Sequence, residues 1–233
     1  MSASAPRGVR PVTILGFDTS TAATTACVLR DDGEEFEVAP GPERLAERPA
    51  HAAELLPAVH EAMGRAGLGF AAIGAIAVGL GPGTFTGLRI GVATARALAK
   101  SQGLPLRGVS SLAALAEGMP DDRPRLALID AKRGEAYAAV FDGDRELLAP
   151  LVAGPEALLD RLGSLNADPL AAGDGALRFR AELEAGGIAV APADSPFHVV
   201  RGASICRLAL GAPGAPPEQV IPQYLREPDA VPR

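Results

Sequence analysis

Apolar and polar positions fall into short blocks along this chain, and the blocks predict strands and helices in alternation. Residues 12–17 (VTILGF) are continuously apolar and read as a buried strand ending at Asp18. The polar turn Asp18-Thr19-Ser20-Thr21 separates it from a second strand in TTACVLRDD, and Asp32-Gly33 is a hairpin signal before EEFEVA. After the loop at PGPE, apolar side chains recur at helical spacing from Ala52: Leu55, Leu56, Val59, Met63 and Ala66. Pro57 lies inside that run and is expected to kink it or mark its first turn. Residues 73–80 read as a buried strand, and the loop from Gly81 to Gly87 opens a helix running to about Ser101. A short strand at 106–109 and a helix from Ser110 complete this half.

The opening pattern then recurs. LALID is a strand ending in Asp130, followed by the polar turn Ala131-Lys132-Arg133-Gly134, the strand EAYAAVF, Asp142-Gly143 and a further short strand. Asp18 and Asp130 hold the same place in two copies of strand–Asp–turn–strand–Asp-Gly–strand, which implies an internal duplication. Helices are expected at 155–165 and 176–185 with a strand in PLAAG between them, then a strand in GIAVAP and a helix at 199–210. The Pro-rich tail is expected to be irregular. Two such halves predict an α/β protein of duplicated, two-lobed actin-like architecture, the fold of sugar kinases, heat-shock proteins and actin, divided into lobes 1–109 and 110–233.

Composition narrows the chemistry. Apolar residues make up 48% of the 233, enough for a sizeable core, but aromatic residues make up only 4%, so Ala, Leu and Val must fill the interior. No run is long enough to span a bilayer, and the N-terminal MSASAPRGVRP lacks the apolar stretch of a signal peptide, so a cytoplasmic protein without membrane contact is expected. The formal charge of -6, with no Lys/Arg-rich run, argues against a chain that grips nucleic acid by itself. Cys27 and Cys206 lack metal-ligand spacing and are expected as reduced thiols.

Two loops carry candidate chemistry. A carboxylate at a strand end followed by hydroxyls, Asp18-Thr19-Ser20, either holds Mg²⁺ and phosphate or forms a turn that satisfies its own backbone. Thr19 stands where phosphate-binding turns of this fold carry Gly, which favours the second reading. The loop GLGPGTFTGLRIG supplies Gly81 and Gly83 for close approach, Thr84 or Thr86 as a helix cap, and a helix N-terminus able to hold an anion; it is not a P-loop. Gly87, Gly91, Ala95 and Ala99 recur every fourth residue and suit packing or a subunit contact better. His51, His60 and His198 form no HExxH or HxxxH, and no serine has a GxSxG context. Lys132-Arg133 reads as a solvated pair able to touch a phosphate, and Tyr137 as a half-buried strand residue.

Taken together, ILGFDTST, HAAELLPAVHEAM, VGLGPGTFTGLRIGVATARALAKSQGLPLRGVSSL, LIDAKRGEAYAAVF and PQYLREPDA resemble the bacterial TsaB (YeaZ) family. The match runs in order from about Ile14 to Ala230 and is weakest over 150–215. The resemblance implies an accessory role in the complex that makes threonylcarbamoyladenosine in tRNAs reading codons that start with A. It implies pairing with the catalytic paralogue TsaD through N-lobe helices, the TsaE ATPase as a further partner, and a homodimer through the same surface when TsaD is absent. It assigns this chain no required cofactor, leaves ATP or ADP to the assembled complex, and brings tRNA only through that complex. The HxxxH metal motif of the paralogue aligns with Ser111 and Leu115, and neither side chain replaces an imidazole. Partner-contact candidates are Leu55, Leu56, Val59 and Met63 on one helix, and Gly87, Leu88, Gly91 and Ala95 on the other. The alternatives are a stand-alone ATPase or small-molecule kinase of the same fold and, less well supported, a metallopeptidase.

Overall fold

In the computed structural model, residues 12–120 and 122–226 are described; the MSASAPRGVRP stretch and the end of PQYLREPDA lie outside them. Two five-stranded sheets repeat one plan. The first has the order β3-β2-β1-β4-β5, from β1 (Ile14–Asp18), β2 (Thr25–Leu29), β3 (Glu35–Val38), β4 (Ala75–Gly79) and β5 (Leu106–Val109). The second comprises β6 (Arg125–Lys132), β7 (Glu135–Asp142), β8 (Arg145–Ala153), β9 (Leu170–Ala172) and β10 (Ala189–Val190). Its order, β10-β9-β6-β7-β8, is the same plan, with β6 in the place of β1. In each sheet the leading strand pairs antiparallel with its hairpin partner and parallel with the strand after the crossover. The duplication seen in the sequence is therefore a duplication of sheet topology, the two-lobed actin-like α/β fold.

Helices α1 (His51–Ala66) and α2 (Phe85–Gln102) cover the outer face of the first sheet. Leu55, Val59 and Met63 of α1 and Val92, Ala95 and Ala99 of α2 bury against Leu15, Phe17, Ile76 and Val78. Pro57 stays inside α1 on its exposed side, and the helix closes on Gly67 in the left-handed region. Between the sheets lie α3 (Ser111–Glu117) and α7 (Gly202–Gly211), in a core with Ile14, Leu112, Leu115, Ile129 and Ile205. The outer face of the second sheet carries α4 (Pro155–Gly163), α5 (Asp174–Arg178) and α6 (Arg180–Ala185).

Some expectations need adjustment. The helix predicted over 176–185 is broken at Phe179, whose φ of -103° and ψ of 21° leave the helical region. The helix predicted over 199–210 begins three residues later, because Val199 and Val200 run extended beneath the first lobe; Thr25 Oγ1 donates to the Val200 carbonyl at 2.9 Å. A cut at 109/110 separates the sheets but not the packing. The late helix α7 lies on β1 and β2, and Arg201 and the Ala203 amide both engage Glu37 of β3. The described part of the Pro-rich tail is irregular as expected, apart from a short 3-10 turn at Pro217–Gln219, and is tied to the first lobe: Ala215 bridges Leu106, and the Gln223 amide donates to the Leu80 carbonyl at 2.8 Å. Cys27 and Cys206 are free, buried and adjacent, the Cys206 thiol reaching the Cys27 carbonyl at 3.4 Å.

Candidate functional site

Strand β1 carries Asp18 into the interior, where it is 1% exposed. Its Oδ1 accepts from the Ser20 amide at 2.7 Å and the Ser20 hydroxyl at 2.6 Å. Its Oδ2 accepts from the Ser111 hydroxyl at 2.8 Å, and Ser111 Oγ accepts in turn from the Gly81 amide at 3.2 Å. Burial pushes the Asp18 carboxyl above the usual carboxylate range, against the pull of the serine hydrogen bonds. Thr19 Oγ1 donates to the Gly87 carbonyl at 2.8 Å, and the Thr84 amide donates to the Ser20 carbonyl at 2.8 Å. Asp18, Thr19, Ser20, Gly81, Gly83 and Thr84 thus converge on one place: Asp18, Ser20, Gly81 and Thr84 are linked through hydrogen bonds that include Ser111, Gly83 packs against Ser20, and Thr19 bonds to Gly87.

The first turn of α2 closes that place. A Cβ on Gly87 would overlap the Thr19 carbonyl oxygen, and one on Gly91 would overlap Thr19 Oγ1. The polar lobes of Asp18, Ser20 and Ser111 face each other, so the turn holds its own backbone as an Asx turn does.

The second copy of the turn is open. The Lys132 amide donates to Asp130 Oδ1 at 2.8 Å, the same i to i+2 bond as at Asp18, and Lys132, Arg133 and Gly134 all take positive φ. Here the carboxylate also meets Lys132 Nζ at 2.8 Å and Arg178 at 3.0 Å. Burial opposes the charge, but Lys132 and Arg178 outweigh it and hold Asp130 below its ordinary value. Asp174 accepts from the Asp130 amide at 2.9 Å, and burial, with the Asp130 charge beside it, pushes its carboxyl up to about 6.

Most of the partner-contact candidates face the chain's own core. Gly87, Leu88, Gly91 and Ala95 are buried within the chain, their side of α2 turned to Thr19 and Val78. Leu55, Val59 and Met63 are likewise buried on the first sheet. One helix face cannot serve both core and partner, and the core holds it. Of the eight candidates, only Leu56 projects outward, 55% exposed. It shares the outer surface with Ala53, Pro57, Ala93 and Ala97, all exposed, and the half-exposed Ile90.

Sequence reading missed how three residues are used. Ser111, noted only as a metal-motif position, is the second support of Asp18 across 93 positions, and Leu115 lies in the inter-sheet core. His51 is 3% exposed, its Nδ1 2.8 Å from Thr24 Oγ1, while Thr24 donates to Glu54 at 2.7 Å. Asp174, three residues past PLA, supports the second turn. No local spacing signals any of these. His198 is buried among the Gly173, Ala191 and Pro192 carbonyls. Ser20 and Ser111 both donate to the Asp18 carboxylate rather than to a histidine.

A family model described as "TsaD: tRNA N6-adenosine threonylcarbamoyltransferase" matches residues 42–179. The tRNA threonylcarbamoyladenosine biosynthesis protein TsaB of Escherichia coli is 33% identical over 172 residues, covering 70% of this chain and 71% of that protein. An uncharacterized protein of Mycobacterium leprae is 32% identical across 94% of this chain, which spans 56% of that protein's length. The solved structure of YeaZ from Pseudomonas aeruginosa superposes with a TM-score of 0.72 at 27% identity, covering 92% of this chain and all of that one.

Proposed function

The chain belongs to the TsaB (YeaZ) family, and from that premise we propose that it serves threonylcarbamoyladenosine formation in tRNA as an accessory subunit rather than as the catalyst. Its substrate RNAs are those reading codons that start with A, and it reaches them through a complex with a TsaD-like paralogue, joined by a TsaE-like ATPase. One observation carries the non-catalytic reading: both oxygens of Asp18 are taken by Ser20 and Ser111, with α2 seated on the turn. A phosphate or metal would have to break three hydrogen bonds to reach that carboxylate. Nucleotide, on this reading, is held elsewhere in the assembled complex.

The outer strip of α1 and α2 supports the partner reading. It presents Leu56, Ala53, Ile90 and Ala93, an apolar group of the kind found at interface centres, with the exposed Arg89 next to Ile90. In the absence of the paralogue, a second copy of the chain fits the same strip. The test is reconstitution of tRNA threonylcarbamoylation with each subunit omitted in turn, alongside steady-state ATP turnover by the chain alone. Activity that requires this chain, with background ATP turnover when it is alone, supports the reading. Full activity without it, or steady turnover by the pure chain, overturns it in favour of a stand-alone ATPase.

A further inference from the structure

A cavity of about 400 Å³ lies where the N-termini of α1 and α2 meet, lined by Pro49, Ala50, His51, Thr84, Gly87 and Ile90 among others. Two polar side-chain atoms there have no hydrogen-bond partner: His51 Nε2 and Thr84 Oγ1. Both flank one point, since a Cβ on Gly87 would stand 3.2 Å from the first and 2.6 Å from the second. His51 is itself 97% buried, being 3% exposed. An unpartnered imidazole nitrogen at that depth carries a desolvation penalty.

The surrounding backbone adds donors. Neither helix is capped by a side chain, and first-turn amides have no acceptor within their own helix. At α1, the Ala53 and Glu54 amides already share the Ala50 carbonyl, but at α2 the amides of Thr86 and Gly87 remain. Both helix dipoles point their positive ends toward the same cavity. The Thr24 hydroxyl donates to Glu54, so its oxygen accepts from His51 Nδ1–H, which leaves Nε2 as the atom that gains a proton.

We propose that this cavity is a binding site for a small oxyanion, a phosphate or carboxylate group, held by His51 Nε2–H, the Thr84 hydroxyl and the first-turn amides of α2. It adjoins the Asp18 turn, using the free side-chain oxygen of Thr84 and first-turn amides rather than the carboxylate, and does not depend on the accessory-subunit reading. The group comes either from a free anion or from an acidic side chain of a docked protein, because the cavity opens beside the exposed strip containing Ile90. Binding takes up a proton. Free His51 is pushed below its ordinary value by burial; Asp18, Glu54 and the Thr21 backbone pull it upward, and Arg44 adds a smaller downward push.

The experiment is a pH titration of the histidine ring signals of the full chain by NMR, with and without inorganic phosphate or acetate. The chain has only three histidines, and His60→Gln identifies the exposed one. With either anion, the His51 midpoint should rise by about one pH unit. Thr84→Val should abolish most of that rise while leaving the midpoint without anion in place. If free anions do nothing but the paralogue raises the midpoint, the site stands with a protein carboxylate as its ligand. If neither moves it, the cavity holds water only and the proposal falls. Loss of tRNA modification alone bears on the accessory reading and leaves this readout untouched.

Discussion

The Thr19 hydroxyl donates to the carbonyl of Gly87, 68 positions away, and ties the first turn of the first lobe to the first turn of α2. The bond needs a residue without a side chain at Gly87, because a Cβ there would overlap the Thr19 carbonyl. Gly91, one helical turn on, meets the Thr19 side chain in the same way. Gly87→Ala and Gly91→Ala should therefore each destabilise the chain by about 1–3 kcal/mol through overpacking. Thr19→Val, which keeps the shape and loses the hydrogen bond, should cost about 1 kcal/mol. Thermal or urea unfolding of the three variants checks the order; a Gly91→Ala protein as stable as the wild type would show that the helix is not seated as described.

The partner surface makes a paired prediction on adjacent residues. Leu56 is 55% exposed and Leu55 is 2% exposed. Leu56→Arg should leave folding unchanged and weaken binding to the paralogue by about 30-fold or more. Leu55→Arg should instead fail to fold stably, because it drives a charge into the core of α1 and the first sheet. Circular dichroism and calorimetry separate the two outcomes. Wild-type affinity for Leu56→Arg would move the interface off this strip.

Much of the fold is readable in the sequence because the repeat is written in local signals. A strand ending in Asp, a polar turn and an Asp-Gly hairpin appear twice, and the sheets take the same order twice. The direction of a helix face is less legible. Leu55, Val59 and Met63 at helical spacing identify α1, yet the same spacing suits a partner or the chain's own sheet. The small-residue side of α2 has the same ambiguity, and only Thr19 lying against Gly87 and Gly91 resolves it. The support of Asp18 by Ser111, and the meeting of His51 with Thr84 beside Gly87, arise from long-range packing that leaves no trace in spacing. The N-lobe location of the α7 helix is illegible for the same reason: its apolar residues fit either lobe.

The second turn predicts a dependence on pH. Asp174 is raised to about 6 in the folded chain, above the 3.8 of an ordinary aspartate. The folded state therefore holds its proton more tightly than the unfolded state between pH 4 and 6, and stability from this group falls as pH rises through that window. Asp174→Asn keeps an oxygen to accept from the Asp130 amide and removes the buried charge. It should stabilise the chain above pH 6 by about 1–2 kcal/mol, discounted for partial exposure, and the gain should vanish near pH 4. Urea midpoints at pH 4, 5, 6 and 7.5 give the slope. A gain that is constant with pH would remove Asp174 titration as its cause.

The positions aligned with the paralogue's HxxxH motif supply a direct test of whether a metal site is latent in this fold. Ser111 is fully buried and bonded to both Asp18 and the Gly81 amide, and Leu115, 1% exposed, fills the core between the sheets. Replacing both by histidine would put two imidazoles into space now filled by a hydroxyl and an isobutyl group, and leave the Gly81 amide without its acceptor. The double variant Ser111→His, Leu115→His should lose about 3 kcal/mol or more and bind no metal in proportion to protein. Metal content after purification with excess zinc, read beside a thermal melt, decides it. One equivalent of zinc on a well-folded double variant would mean that Asp18 and the new imidazoles can complete a coordination shell, and that this lobe lacks only the ligands of its catalytic relative.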